Sequence, residues 1–171
     1  MAATVRISYA SGAGPALATA ETGIKFNREE TLAGTTAPIP RPVATGTAFS
    51  WGKVFCLEVT ATDTTSISNR KLHMDATLAT GLNLWYRDDG DTYTRVTGNA
   101  DADSGSNGAT PTGYSAMPTT ATVFDSGSDA ASATGRSGDY FTLALGISNS
   151  YAGGANSNLA LANLVVTYDE A

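Results

Sequence analysis

The sequence predicts an all-β protein: a single β-sandwich or jelly-roll domain spanning residues 1–171, with about eight or nine strands joined by long loops rich in Gly, Ser, Asp and Thr. Three observations predict it. Apolar residues recur with a period of two, in short runs. Gly, Asn, Asp, Ser and Pro interrupt those runs at short intervals. No stretch carries the Glu, Lys and Leu heptads of a coiled coil or long amphipathic helix. A chain of 171 residues fits one domain, and folding at this size hides about two-thirds of the unfolded surface. A core without metal or disulfide staples is therefore expected.

The elements follow in order. Val5, Ile7 and Tyr9 alternate with Thr4, Arg6 and Ser8, which predicts a strand with one buried face. Ile24 and Phe26 flank Lys25 in a second short run. Residues 31–44 follow, with Pro38, Pro40 and Pro42 holding the backbone extended and removing ladder donors, so this segment predicts an arm or edge. From Phe49 to Thr60, Phe49, Trp51, Phe55, Leu57 and Val59 share one parity while Val54 and Cys56 take the other. A strand apolar on both faces belongs in the middle of a sheet. Leu72 and Met74 alternate with Lys71 and His73, and Leu82, Leu84 and Tyr86 with Asn83, Trp85 and Arg87.

Asp88-Asp89-Gly90-Asp91 then predicts a hairpin into Thr92–Val96, because Asp and Gly tolerate positive φ. Residues 98–120 hold almost no large apolar side chain and predict a long surface loop. Ala121–Phe124 reads as a short strand, and residues 125–138 as a Ser/Gly/Asp loop. Tyr140–Ile147 and Leu159–Tyr168 close the chain as strands, with a loop at 151–156 between them.

Ten Lys and Arg against 16 Asp and Glu give a net charge of −6. A protein with so few scattered cations has no electrostatic footprint for nucleic acid. No run is long and apolar enough for a membrane span. The opening Met1–Ile7 lacks the basic-then-apolar pattern of a secretory leader, so synthesis in a cytoplasm is expected. Charged residues are only 15% of the chain, against about 25% in an ordinary domain. Sparse charge leaves sheet edges poorly defended, so loops or other subunits must cover them. The 28 Ala and 25 Thr suit that picture. Thr favours the solvent face of a strand, and Ala permits close approach of neighbours.

Candidate chemistry is thin. Cys56 is the only cysteine and His73 the only histidine. That excludes an intrachain disulfide and a histidine metal cluster. Cys56, between Phe55 and Leu57, reads as a small core residue, and His73 as part of the polar face of a strand. Asn99-Ala100-Asp101-Ala102-Asp103-Ser104-Gly105 places oxygen donors at every second residue. It departs from a calcium loop because Gly comes one place late and Thr110 stands where Glu is needed. Asp88, Asp89 and Asp91 read as solvated turn formers. Of Glu21, Glu29, Glu30 and Glu58, only Glu58 falls on a predicted strand, beside Cys56 and Thr60, as a partly buried acid. Trp51, Trp85, Tyr86, Tyr93 and Tyr114 suit either a sugar-stacking platform or a core. No catalytic, cofactor or metal site is predicted, and no enzyme.

Several blocks carry a resemblance. Gly23-Ile24-Lys25-Phe26-Asn27-Arg28-Glu29-Glu30, Ala37-Pro38-Ile39-Pro40-Arg41-Pro42, Gly46-Thr47-Ala48-Phe49-Ser50-Trp51, Ile67-Ser68-Asn69-Arg70-Lys71 and the ending Asn163–Ala171 resemble structural proteins of tailed-bacteriophage particles. The resemblance covers most of the chain outside 98–138. It implies a virion component of capsid decoration (cement) type. Such a protein binds the outer surface of the major capsid protein shell, often as a homotrimer, and stabilises the head. The alternatives are a tail-fibre or receptor-binding module that recognises cell-surface carbohydrate, or a head-completion or tail component.

Overall fold

The computed structural model describes residues 3–19, 24–30, 38–43, 45–62, 65–98, 111–153 and 163–171. These residues form ten strands and no helix: β1 (Thr4–Ser11), β2 (Ala16–Thr19), β3 (Thr47–Phe49), β4 (Lys53–Ala61), β5 (Ser66–Met74), β6 (Leu82–Gly90), β7 (Ser115–Ala116), β8 (Thr122–Ala130), β9 (Gly135–Ser148) and β10 (Leu164–Glu170). Seven build one antiparallel sheet in the order β2-β1-β4-β9-β6-β7, with β3 also on β9. The other three build a second antiparallel sheet in the order β10-β5-β8. The two sheets pack face to face as a β-sandwich, whose division into seven and three strands does not by itself make a jelly roll.

The packing follows from the alternation. Ile7 lies opposite Leu57, and Tyr9 opposite Phe55. Such cross-strand pairs put one row of apolar side chains on the inner face. Tyr9, Phe55, Phe141 and Leu143 of the large sheet meet Leu72 and Met74 of the small one, and Met117 closes the cluster. Phe141 sits at its centre, with ring centroids 5.8 Å from Phe55 and 5.3 Å from Phe124. A second cluster of Ala3, Val59, Ile67 and Ala131 continues the core toward the other end of the sandwich. β4 runs between β1 and β9 and is apolar on both faces, the central position its sequence predicts.

The outer face of the large sheet is covered too. Tyr93 and Val96 fold back over Ala10, Val54, Cys56 and Tyr140. Tyr114 and Trp85 pack with Phe49 and Ala144. Gly52 makes this cover possible, because a Cβ there would stand 2.9 Å from Thr142 Cγ2 and 3.0 Å from Tyr114 Oη.

Four local expectations are corrected, and one strand without a sequence expectation is added. Ile24–Phe26 is not a strand; both side chains pack onto the main core from an irregular segment whose Asn27 carbonyl accepts the Trp51 N–H. Ala16–Thr19, for which the sequence gives no strand signal because it holds one large apolar residue, pairs with β1 as a hairpin. The run from Phe49 to Thr60 is two strands, broken where the Ser50 hydroxyl accepts the Leu145 N–H at 3.0 Å. The hairpin at 88–91 does not form: pairing with β9 carries β6 through Gly90, and 92–96 is not a strand. Residues 125–138 are mostly strand, since β8 extends to Ala130 and β9 starts at Gly135.

Of the expected arm at 31–44, residues 31–37 and 44 lie outside the described residues, and 38–43 form no strand. Residues 99–110 of the long loop also lie outside, while Ser115–Ala116 pairs with β6. The last strand starts at Leu164, and 159–162 lie outside the described residues.

Candidate functional site

Two cations that sequence reasoning left unremarked lie fully buried, one in each sheet. Lys53 opens β4 and shares the inward parity of Phe55 and Leu57. Its ammonium donates to the Asn27 side-chain oxygen at 2.9 Å and to the Glu29 carbonyl. Burial pushes Lys53 down to about 8, against the pull of the Glu29 and Glu30 carboxylates. The Asn27 oxygen also accepts the Glu29 N–H at 3.2 Å. Next to it, the Tyr9 hydroxyl donates to the Glu30 carbonyl. Burial and the nearby Glu30 charge raise the Tyr9 phenol well above its usual range. The Glu30 carboxylate is held by Arg95 at 2.7 Å and by the Gly12 N–H at 2.9 Å. Arg95 first, and the Gly12 N–H after it, keep that carboxyl below its ordinary value.

Arg70 sits in β5 on the inner face of the small sheet. Arg70 shares the inward parity of Leu72 and Met74, and a bulge with Asn69 at φ 47 shifts the register ahead of it, so that Ile67, on the other parity, is buried as well. Its guanidinium donates to Asp125 at 2.7 Å, Asp129 at 2.6 Å, the Ser137 hydroxyl at 2.8 Å and the Ile67 carbonyl at 3.1 Å. Ser137 belongs to β9, so this fork ties the two sheets together. Asp125 also accepts N–H groups from Gly127 and Asp139. Gly138 is required beside it: at φ +76, a Cβ would collide with Arg70 and Asp125.

The residues singled out from sequence are scattered. Cys56 is fully buried, and burial pushes its thiol up to about 12, which makes it a poor nucleophile at neutral pH. His73 lies on the outward face of β5 opposite Val165, and its Nδ1 is buried without a hydrogen-bond partner. Glu58 is bound by the Ser8 hydroxyl and by Arg6 at 2.9 Å, which lower its carboxyl. Asp88 accepts the Gly90 N–H, Asp89 is held by Arg87 and Thr142, and Asp91 meets Arg136. Each of these three carboxylates thus has its own partner. Among the described residues, no group of three or more His, Cys, Asp or Glu is placed to hold a metal ion. Glu21 and residues 99–105 lie outside the described residues.

The aromatic candidates are spent on packing. The Trp51 indole donates to the Val96 carbonyl at 3.2 Å. Tyr93 stacks edgewise on Tyr140 at 5.6 Å, Tyr86 packs against the main core, and Tyr114 is buried. They form no open stacking platform. No family model, curated protein or solved structure matches this chain.

Proposed function

We propose that this protein is a non-enzymatic structural component of a tailed-phage particle. In this reading it is a capsid decoration protein that binds the outer surface of the major capsid shell, as a homotrimer, and stabilises the head. One observation carries the reading: among the described residues, the buried and paired charged side chains hold the fold itself. Arg70, Asp125, Asp89 and Glu58 all hold other parts of the same sandwich. What remains for partners is shape and sheet edge. Among the described residues, β8 and β10 each pair with β5 alone, so each offers one free edge. Edges of this kind take up strands from neighbouring subunits. The resemblance of the 23–30, 37–42, 46–51, 67–71 and 163–171 blocks to phage structural proteins supports the same reading.

Binding to the assembled shell stabilises it by mass action. Purified protein added to heads that lack it should co-sediment with them and raise their melting temperature. Binding to glycans but not to heads would favour the tail-fibre alternative instead.

A further inference from the structure

We propose that Lys53 and Asn27 form an intramolecular isopeptide bond, a covalent tie between β4 and the irregular segment that precedes the Pro-containing stretch. The geometry carries it. The Lys53 ammonium is fully buried and lies 2.9 Å from the carboxamide oxygen of Asn27, itself only 4% exposed. The carbon to be attacked is one bond beyond that oxygen. An amine and an amide held in a dry site in this way gain the large effective concentration of an intramolecular reaction.

Three further features suit the chemistry. The Glu29 N–H donates to the same Asn27 oxygen at 3.2 Å, so a main-chain donor already faces the position where negative charge develops during attack. Burial holds the Lys53 amine at about 8, which leaves on the order of a tenth of it neutral and nucleophilic at pH 7. Carboxylate charge from Glu29 and Glu30 acts on the amine. Glu29 acts on the amine more strongly than Glu30, and its own carbonyl already accepts from the Lys53 ammonium, so the proton role is assigned to Glu29.

The step balances without an oxidant or reductant. The neutral Lys53 Nζ attacks Asn27 Cγ and forms the Nζ–Cγ bond. The Glu29 carboxylate takes a proton from Nζ and returns one to Nδ2. The Cγ–Nδ2 bond breaks, and ammonia leaves. A primary carboxamide and a primary amine become one secondary amide plus ammonia. Two polar groups that burial penalises become a neutral amide, and the loop they close is locked.

The experiment is mass spectrometry of the purified full chain. Trypsin cuts after Lys25 and Arg28, so an unlinked chain releases the tripeptide Phe26-Asn27-Arg28. A linked chain instead yields that tripeptide attached to the peptide containing Lys53, lighter than the sum of the two by one ammonia, with no cleavage after Lys53. Lys53→Arg and Asn27→Ala should each abolish the branched peptide. Glu29→Gln should lower its yield at least tenfold in a chain that still melts cooperatively. The wild-type digest needs no variant to fold. If it gives the free tripeptide and cleavage after Lys53, even after prolonged incubation at pH 9, the bond does not form and Lys53 is only a hydrogen-bonded buried amine. Equal yield from Glu29→Gln would overturn the proton role given to Glu29. Neither readout depends on head binding, so this inference and the proposed function stand or fall separately.

Discussion

Lys53 and Arg70 are both fully buried cations, yet their surroundings differ in kind. Arg70 is compensated by carboxylates in direct contact, Asp125 and Asp129, and by two neutral acceptors, the Ile67 carbonyl and the Ser137 hydroxyl. Lys53 donates to an amide and a main-chain carbonyl, and its amine is pushed down to about 8. A planar guanidinium stays charged and suits bidentate pairing; a buried ammonium loses its proton more readily. The first environment is built to keep a charge, the second to weaken one. The difference marks Arg70 as a strut and Lys53 as a reactive group.

The contrast sets an order of expected effects. Arg70→Met leaves Asp125 buried without its cation and should cost about 3–5 kcal/mol in chemical denaturation. Gly138→Ala forces a side chain into a left-handed backbone and into the Arg70–Asp125 pair. It should cost about 2–4 kcal/mol, with Arg70 still present. Adding Lys53→Met to an Asn27→Ala chain, in which no cross-link can form, should cost less, about 1–3 kcal/mol, because the Glu29 carbonyl loses its buried donor. If this loss equals that of Arg70→Met, the two sites are energetically alike and the contrast fails.

pH sharpens it further. Asp139, beside the Arg70 site, is raised to about 6 by burial and by the charges of Asp125, Asp88 and Asp91. The folded state therefore holds this proton more tightly than the unfolded chain, so its contribution to stability is fully present below about pH 4 and is lost as pH rises toward 6. Asp139→Asn should remove that loss and stabilise the protein at pH 7 by about 1 kcal/mol after solvent screening. Thermal melts from pH 4 to 7 check it. Glu58 runs the other way: its lowered carboxyl adds stability above its unfolded value, which is lost on acidification. Glu58→Gln should cost least, about 0.5–1 kcal/mol at pH 7, because the Arg6 pair is partly exposed.

The alternation of large apolar residues made the sandwich legible. Val5, Ile7 and Tyr9 face inward as a period of two requires, and Phe55 and Leu57 beside Val54 and Cys56 mark a central strand. What stayed hidden was decided by partners distant in sequence. The Ser, Gly and Asp residues of 125–138 have weak strand preference, yet pairing of Ser66–Leu72 with β8 and the Arg70 fork hold them extended. The Asp-Gly turn signal at 88–91 lost to the β6–β9 ladder. Both buried cations carried a signal that charge obscured. Lys53 shares parity with Phe55, and Arg70 with Leu72 and Met74, so each was already phased toward the core. The same parity argument placed Glu58 as a partly buried acid, and the structure supplies Arg6 and Ser8 as its partners.

The two ends of the described fold meet. The Ala3 N–H donates to the Glu170 side chain at 2.7 Å, while Ser66 and Ala171 exchange main-chain bonds at 2.8 and 3.1 Å. The chain thus traces a nearly closed ring, and its order of synthesis is separable from its architecture. A short linker from Ala171 to Ala3, with a new opening cut between Ala131 and Thr134, should give a circular permutant that assembles the same two sheets. Cargo fused ahead of Ala3 or behind Ala171 would leave the molecule from one pole.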